Sequence, residues 1–268
     1  MNYYSNNKQI LWVLSVYKTY LLLICKMKTK AIIVYLILIV CSQNILFAQT
    51  QNTGWLASFN TFTIGKKTSI HSDVQFRSTD EIQQLQTLLI RSGLNYRLSK
   101  NIIATAGYAF IDNKRTVSNV TGFVHEHRIW QQIIFNQKIQ QLAIAHRLRL
   151  EQRFVGRPAL IDNVVKNDGY NTSHRIRYFI RNILPLKNEG AFKKGLFVAL
   201  QNEIFLNIGN KGNVNGKTFD QNRLYLAAGY RLNPKFDIEA GYMNQYINGR
   251  SNQFTNNHVL QLATYLRL

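Results

Sequence analysis

The chain has 268 residues, a hydrophobic fraction of 46% and a formal net charge of +20 at neutral pH. Both of its cysteines, Cys25 and Cys41, lie in the first 48 residues, so disulfide bonds and thiol chemistry are excluded for the remainder. The first 48 residues hold five of the 33 basic residues and none of the 13 acidic ones, which leaves 28 basic residues and a net charge of about +15 on residues 49–268.

The first 48 residues have the layout of an export signal. After Met27, two lysines precede an apolar run at 31–41, and a polar stretch then leads to Ala48. This three-part order is typical of a secretory signal peptide, and the run is too short to span a bilayer. We therefore predict a signal peptide at 27–48, cleaved after Ala48, and an upstream extension from a misassigned start at 1–26. The alternative for the apolar stretch at 21–24 is a membrane anchor.

After residue 48 the hydrophobic pattern has a period of two, which indicates β-strands. In the segment 174–186, for example, Ile176, Tyr178 and Ile180 share one phase, while Arg175 and Arg177 occupy the other. In chain order the predicted segments are 55–64, 68–77, 86–98, 102–112, 126–137, 142–154, 174–186, 196–208, 221–232, 236–246 and 258–268. No later stretch approaches the length of a membrane helix, so the class is all-β.

The connections between segments alternate in length. Short connections alternate with longer polar ones. The short connections are 65–67, 99–101, 136–138 and 233–235, and the longer ones are 113–123, 155–172, 209–219 and 248–256. This is the design of an outer-membrane barrel. Because bacterial single-chain barrels have even strand numbers, the eleven segments predict a single up-and-down antiparallel transmembrane β-barrel of about 12 strands, with 10 as the alternative, over residues 49–268.

A soluble lipocalin-like barrel with a bound ligand is the alternative fold, since it uses the same alternation. The signal peptide, the length of the segments and the Arg, Glu, Gln and Asn of the polar phase favour the membrane version. We therefore expect a porin-like protein in the outer membrane of a Gram-negative cell, with outer-membrane lipid as its partner. Loop lysines such as Lys114, Lys211 and Lys217 are predicted to contact anionic headgroups.

The polar phase predicts a lumen lined by arginine and glutamate. One interpretation is that these groups fill a narrow lumen with ion pairs, because buried charges require partners. The other is an anion-preferring pore or binding site for small anionic solutes, since rings of arginine select anions. The candidate contacts are Glu126, Arg128, Arg147, Arg149, Glu151, Arg153, Arg175, Arg177, Arg181, Glu203, Arg223, Arg231, Asp237 and Glu239.

A membrane-embedded hydrolase is the alternative function. It requires a histidine beside a serine, yet the adjacent Ser173 and His174 point to opposite faces of a regular strand. The other candidates are His146 and the pair Asn257 and His258, and the motif GxSxG is absent. The sequence therefore predicts no catalytic residue and leaves enzymatic activity undecided, with a non-enzymatic role favoured.

Metal, cofactor and nucleic-acid binding have weaker support. His125 and His127 share a strand face, but Glu126 points the other way and no cysteine is present after residue 48. We predict no metal and no cofactor. The basic residues are spread over lumen and loops without a platform of stacked aromatic residues, and an exported chain rarely meets DNA, so no nucleic-acid partner is expected.

Several motifs carry a resemblance to a known family. They are "HEHRIWQQ" (125–132), "HRLRLEQRF" (146–154), "HRIRYFIR" (174–181), "QNEIFLN" (201–207), "FDQNRLYLAAGYRL" (219–232) and "IEAGYMNQY" (238–246). In their order they resemble the domain-of-unknown-function 2490 family, over about residues 53–268. The resemblance implies an exported outer-membrane barrel and implies no activity. The chain departs from the aromatic end common in such barrels, because its last residue is Leu268.

Overall fold

In a computed structural model of the chain, the structure describes residues 49–187 and 192–268. The predicted signal peptide and upstream extension lie outside the described residues. The strands are β1 (Gln49–Thr63), β2 (Thr68–Ser78), β3 (Leu85–Arg97), β4 (Ile102–Val117), β5 (Val120–Ile139), β6 (Leu142–Ile161), β7 (Val164–Pro185), β8 (Gly195–Ile208), β9 (Phe219–Asn233), β10 (Phe236–Asn248) and β11 (Phe254–Arg267). Two short 3-10 helices cover Asp80–Ile82 and Lys211–Asn213. Within the described ranges, neither helix has the length and apolar character needed to cross a bilayer.

The strands form one closed barrel. Each strand pairs antiparallel with its successor along the chain, and β1 closes the ring by pairing with β11. That last pairing is parallel and runs from Gln49 opposite Thr255 to Thr61 opposite Arg267. The ladder continues at the chain end, where the amide of Leu268 donates to the carbonyl of Thr61 at 2.8 Å.

The predicted strand number, 12 with 10 as the alternative, is wrong, because the described residues form eleven strands. The sequence contains eleven alternating segments, which is the observed number of strands. The prediction of 12 was wrong because it adjusted this number to the even values typical of bacterial barrels. The expectation that all pairs are antiparallel is wrong at the β1–β11 seam. Each strand of a meander reverses direction, so an odd number leaves the first and last strands parallel.

The two ends of the barrel differ. The short-turn end carries the connections at 64–67, 98–101, 140–141 and 234–235, together with the described residues 186–187 and 192–194 between β7 and β8. The long-hairpin end carries those at 79–84, 118–119, 162–163, 209–218 and 249–253. Two stretches predicted as long loops, 113–123 and 155–172, are instead mostly strand. Ser118 and Asn119, like Asp162 and Asn163, have φ between 48° and 65°. Such pairs form the tight turns that suit the twist of a hairpin, so pairing continues to the tip.

The alternation sorts side chains between the two faces of the wall. Large apolar residues of the outward phase are exposed, among them Leu94 (52%), Ile133 (54%) and Leu262 (55%). The inward phase holds charged residues and two apolar clusters. The first consists of Trp55, Phe197, Ala199, Tyr225, Ala227, Met243 and Val259, and the second of Leu89, Ala109, Ile111 and Trp130. The interior is therefore a packed mixture of arginine, carboxylate and aromatic groups.

Trp130 on β5 is accommodated by glycines on the two preceding strands, β3 and β4. Gly93 and Gly107 face each other across β3 and β4. A Cβ added to Gly107 would lie 2.5 Å from Cζ2 of Trp130 and 2.3 Å from the carbonyl oxygen of Ser92. Only glycine permits this approach, so these positions allow the indole to lie flat on the inner wall.

Candidate functional site

All fourteen predicted charged residues lie on the inward face, and each is buried or half-buried. Glu151 on β6 is the centre of an ion-pair network that joins nine of them. Its Oε2 accepts from Nη2 of Arg175 at 2.7 Å, and its Oε1 accepts from Nη1 of Arg177 at 2.5 Å. Glu151 and Arg175 are register partners on β6 and β7, where opposite charges on neighbouring strands attract.

Two further carboxylates are each shared by two arginines. Glu126 accepts from Nε of Arg128 and from Nε of Arg153, each at 2.7 Å. Glu203 accepts from Nη2 of Arg147 and from Nη2 of Arg177, also at 2.7 Å. Because buried guanidinium groups require negative partners, these shared carboxylates stabilise arginines that lie side by side on one face.

Three of these ion pairs join strands that are not neighbours. Arg147 on β6 reaches Glu203 on β8, and Arg175 on β7 reaches Asp220 on β9 at 2.9 Å. Arg181 on β7 pairs with Glu239 on β10. The interior is thus crossed by side chains from one part of the wall to another.

Arg231 and Asp237 lie apart from the Glu151 network. They pair at 2.8 Å near the short-turn end, where Asp237 also accepts from Nη2 of Arg267 at 2.6 Å. The ion pairs therefore join nine of the predicted residues around Glu151. Arg181 with Glu239 and Arg231 with Asp237 form separate pairs, and Arg223 has no ion pair among the described residues.

Aromatic faces support several guanidinium groups. Arg147 lies 4.1 Å from the ring centroid of Phe179, and Arg149 lies 4.5 Å from that of Trp130. Arg177 lies 4.4 Å from the ring of Phe205. Cation–π contacts of this kind orient a buried arginine without neutralising its charge.

Five charged members of the interior were not among the predicted contacts: Asp73, Arg77, Arg91, Asp220 and Arg267. The first three occupy the polar phase of β2 and β3, so the alternation placed them inward, while Asp220 and Arg267 lie at strand ends. Arg91 donates to Asp73 at 2.7 Å. The inward aromatic residues were also missed, because an alternation of polar and apolar residues does not indicate aromatic rings beside arginine.

Positive charge exceeds negative charge in the interior. Among the described residues, twelve inward arginines are buried or half-buried, against seven such carboxylates. The arginines are Arg77, Arg91, Arg128, Arg147, Arg149, Arg153, Arg175, Arg177, Arg181, Arg223, Arg231 and Arg267, and the carboxylates are Asp73, Glu126, Glu151, Glu203, Asp220, Asp237 and Glu239. Sharing each carboxylate between arginines still leaves an excess of five positive charges.

Two cavities lie inside the barrel. The main chamber has a volume of about 530 Å³ and extends towards the long-hairpin end at Asn113 and Asp220. The vestibule, with a volume of about 370 Å³, opens at the short-turn end near Lys67. Both are lined by Arg147 and Phe179, so this stacked pair forms part of the partition between them. The lining of the main chamber also includes Thr61 and Arg267 towards the short-turn end.

The serine and histidine candidates are not brought together. Ser173 is buried in the interior, whereas His174 is exposed on the outer face. On the outer face His146 contacts the hydroxyl of Tyr178 at 2.8 Å, and His258 contacts the hydroxyl of Tyr242. In the described part of the chain no hydrogen bond joins a serine to a histidine.

The outward histidines of β5 have separate partners. Nδ1 of His125 contacts Asp112 at 2.8 Å, and His127 contacts the hydroxyls of Tyr108 and Tyr170. Asn257, the remaining hydrolase candidate, points inward. The described residues hold no group of three potential metal-ligating side chains.

Comparison with known proteins identifies the family. The model for "Protein of unknown function (DUF2490)" matches residues 52–256. An uncharacterized protein of Methylorubrum extorquens is 23% identical over 199 residues, which cover 73% of this chain and 79% of that one. The matched span begins in β1 and ends in β11, so it includes nearly the whole barrel and its charged interior. The chain belongs to the DUF2490 family.

Proposed function

We propose that this protein is an outer-membrane β-barrel of the transport type, through whose arginine-rich lumen small anionic solutes pass. The observation that carries the proposal is the presence of two interior cavities together with an excess of buried guanidinium charge. Rings of arginine favour anions in pores, because they replace part of the hydration that the ion gives up.

The outer face supports a location in lipid. Its exposed large hydrophobic residues come from all eleven strands, from Leu56 on β1 to Leu262 on β11. Soluble monomers rarely expose a contiguous apolar patch above a few hundred Å². A lipocalin-like barrel would have the opposite distribution, with apolar groups inside and charged groups outside.

Aromatic residues border the apolar face towards both ends. Tyr108, His127 and Tyr170 form a contact group on the side of the long-hairpin end. Phe135 and Tyr178 lie near His146 on the side of the short-turn end. On β5 the two groups are eight residues apart, which corresponds to about 20 Å along the axis of a barrel with tilted strands. A band of this height is suited to the hydrocarbon layer of an outer membrane.

The charges at the two ends support contact with anionic lipid at the short-turn end. Its turns carry Lys66, Lys67, Lys100 and Lys235, and Lys138 lies at the adjoining end of β5. Each basic residue near an anionic lipid surface contributes on the order of 1 kcal/mol to binding.

At the long-hairpin end the charges are mixed. The lysines first predicted to contact headgroups, Lys114, Lys211 and Lys217, lie there together with acidic residues such as Asp80 and Asp162. We therefore assign the headgroup contact to the turns of the short-turn end.

Planar-bilayer recording tests the transport role. We expect a small single-channel conductance, because Arg147 and Phe179 narrow the passage between chamber and vestibule. In a salt gradient the reversal potential is expected to lie closer to the equilibrium potential of the anion than to that of the cation. The control is the double variant Arg77→Gln with Arg223→Gln, which removes two chamber charges and is expected to reduce the anion preference.

Other outcomes would contradict the proposal. A cation preference, or no current at any voltage, rules out the anion passage. A protein that is released from membranes by carbonate washing is not an integral barrel, and this result would favour the soluble ligand-binding alternative. Lipid hydrolysis that is lost in a His71→Ala variant would favour an enzyme, because His71 is the histidine that lines the chamber.

A further inference from the structure

We propose that Arg77 and Arg223 form a binding site for the phosphate group of a small organic molecule in the main chamber. The inference deepens the proposed function, because it assigns a ligand class to the same lumen. It does not depend on the membrane location, since the site is formed by inward side chains of β2 and β9.

The two guanidinium groups share one aromatic residue. Their central carbons lie 4.0 Å (Arg77) and 5.1 Å (Arg223) from the ring of Trp55, so they are at most 9.1 Å apart. Arg223 also lies 4.8 Å from the ring of Phe205. Both arginines line the main chamber. Two aromatic rings therefore hold two positive charges on the wall of one cavity.

Neither arginine has a carboxylate of its own. In the described part of the chain, the inward carboxylates pair within 4.0 Å with other cations. Arg77 donates through Nη2 to the neutral amide of Gln75 at 2.7 Å, and its buried Nε has no hydrogen-bond partner among the described residues. When the amide oxygen and nitrogen of Gln221 are exchanged so that both face suitable partners, the oxygen accepts from Nε of Arg223 at 3.0 Å. Glu203 lies opposite Arg223 in the register of β8 and β9, but its carboxylate is ion-paired with Arg147 and Arg177. Neutral amides therefore orient the two guanidinium groups, and neither group has an ion pair among the described residues.

Neighbouring guanidinium groups add to the positive charge around the site. Arg175 and Arg177 lie 4.9 Å and 4.4 Å from the ring of Phe205, the ring that Arg223 also contacts. Their carboxylate partners are already shared, as described for Glu151 and Glu203. Like charges in a poorly solvated interior repel, and a bound anion relieves that repulsion.

The chemistry of the site favours a phosphate group. The planar guanidinium fork matches the tetrahedral oxygens of phosphate with paired hydrogen bonds, and two forks match a doubly charged group. The chamber of about 530 Å³ lies in the range of small-molecule sites and exceeds the volume of an inorganic ion. The ligand class is therefore a phosphate monoester whose organic part contacts Trp55, Phe205 and the rest of the chamber.

Titration calorimetry of the full chain, folded in detergent micelles, tests the site. The probes are phenyl phosphate and inorganic phosphate, with phenol as the uncharged control and sodium chloride at matched ionic strength. We expect phenyl phosphate to bind more tightly than inorganic phosphate and phenol to show no binding. Arg77→Gln and Arg223→Gln are each expected to weaken phenyl phosphate binding by about tenfold or more.

A matched control distinguishes the site from general attraction to a basic protein. Arg157 is exposed, donates to the backbone oxygen of Asp168 and lines neither cavity. Arg157→Gln is expected to leave the affinity within about twofold. Equal losses in Arg157→Gln and Arg77→Gln would overturn the proposal, as would unchanged affinity in the double variant of Arg77 and Arg223.

Thermal unfolding without phosphate gives an independent readout. If the arginines serve a ligand, their removal relieves repulsion, and the Tm of Arg77→Gln is expected to rise by about 2 to 4 °C. A purely structural role predicts a lower Tm, and that result contradicts the proposal. Binding in micelles by a protein that fails to enter membranes would support this site while rejecting the proposed membrane function.

Discussion

Arg181 on β7 and Glu239 on β10 form an ion pair although β8 and β9 lie between their strands in the wall. Both side chains are nearly inaccessible to solvent, so water could not replace either partner if the ion pair were broken. The pair therefore ties two separated parts of the barrel wall through the interior.

Glu239→Gln is expected to lower the free energy of unfolding by about 3 kcal/mol, because it leaves the Arg181 guanidinium without its carboxylate. The remaining acceptor of Arg181 is Gln201, at 3.1 Å from Nη1. Adding Arg181→Gln to this variant is expected to restore part of the loss, since it removes the uncompensated charge. Urea unfolding in micelles, followed by tryptophan fluorescence, measures the free energy of unfolding of the single and the double variants. A double variant less stable than the sum of the single losses would disagree with this account.

Glu151→Gln is expected to destabilise the barrel more than any exposed carboxylate variant. The change removes a negative charge that Arg175 and Arg177 share, with an expected cost of about 3 to 5 kcal/mol. The control is Asp162→Asn, which breaks the exposed pair with Lys166 and retains a residue that tolerates the positive φ of that turn. The control is expected to cost less than about 1 kcal/mol. Similar urea midpoints for the two variants would mean that the buried network contributes little.

Gly107→Ala is expected to destabilise the barrel by about 1 to 3 kcal/mol, because the added methyl group would overlap Trp130 and the backbone of β3. Gly212→Ala is the control, since its nearest contact is the side-chain oxygen of Asn210, 3.2 Å away in an exposed loop. Tryptophan emission of the folded state checks whether the indole has moved. Wild-type stability together with an unchanged spectrum would show that the close approach is not required.

Phe179→Ala is expected to raise single-channel conductance severalfold, because it removes the ring that stacks on Arg147 at the partition between the two cavities. Phe62→Ala removes the same side chain from the outer face of β1 and is expected to leave conductance unchanged. Planar-bilayer recordings of the two variants make the comparison. Conductance that rises equally in both would indicate a general loosening of the barrel rather than a partition at Phe179.

The site itself was only partly accessible to sequence reasoning. The phase of Arg175 and Arg177 identified them as inward residues, and Glu151 as their partner on the preceding strand followed from the same alternation. The pairing of Arg147 with Glu203, two strands away, did not follow, since it depends on the curvature of the wall. Arg77 has no ion pair among the described residues, and this was equally hidden, because it depends on all the strands that surround the lumen.

The sequence by itself determined the alternating β-segments and the face that most of their side chains occupy, while the strand number of 12 inferred from them was wrong. The physical reason is that successive residues of a strand point to opposite faces, so a period of two records the two environments directly. The tertiary structure alone decided the parallel β1–β11 seam, the continuous hairpins at 113–123 and 155–172, and the ion pairs across the lumen. These features depend on ring closure, which sets distances between strands that are far apart in the chain.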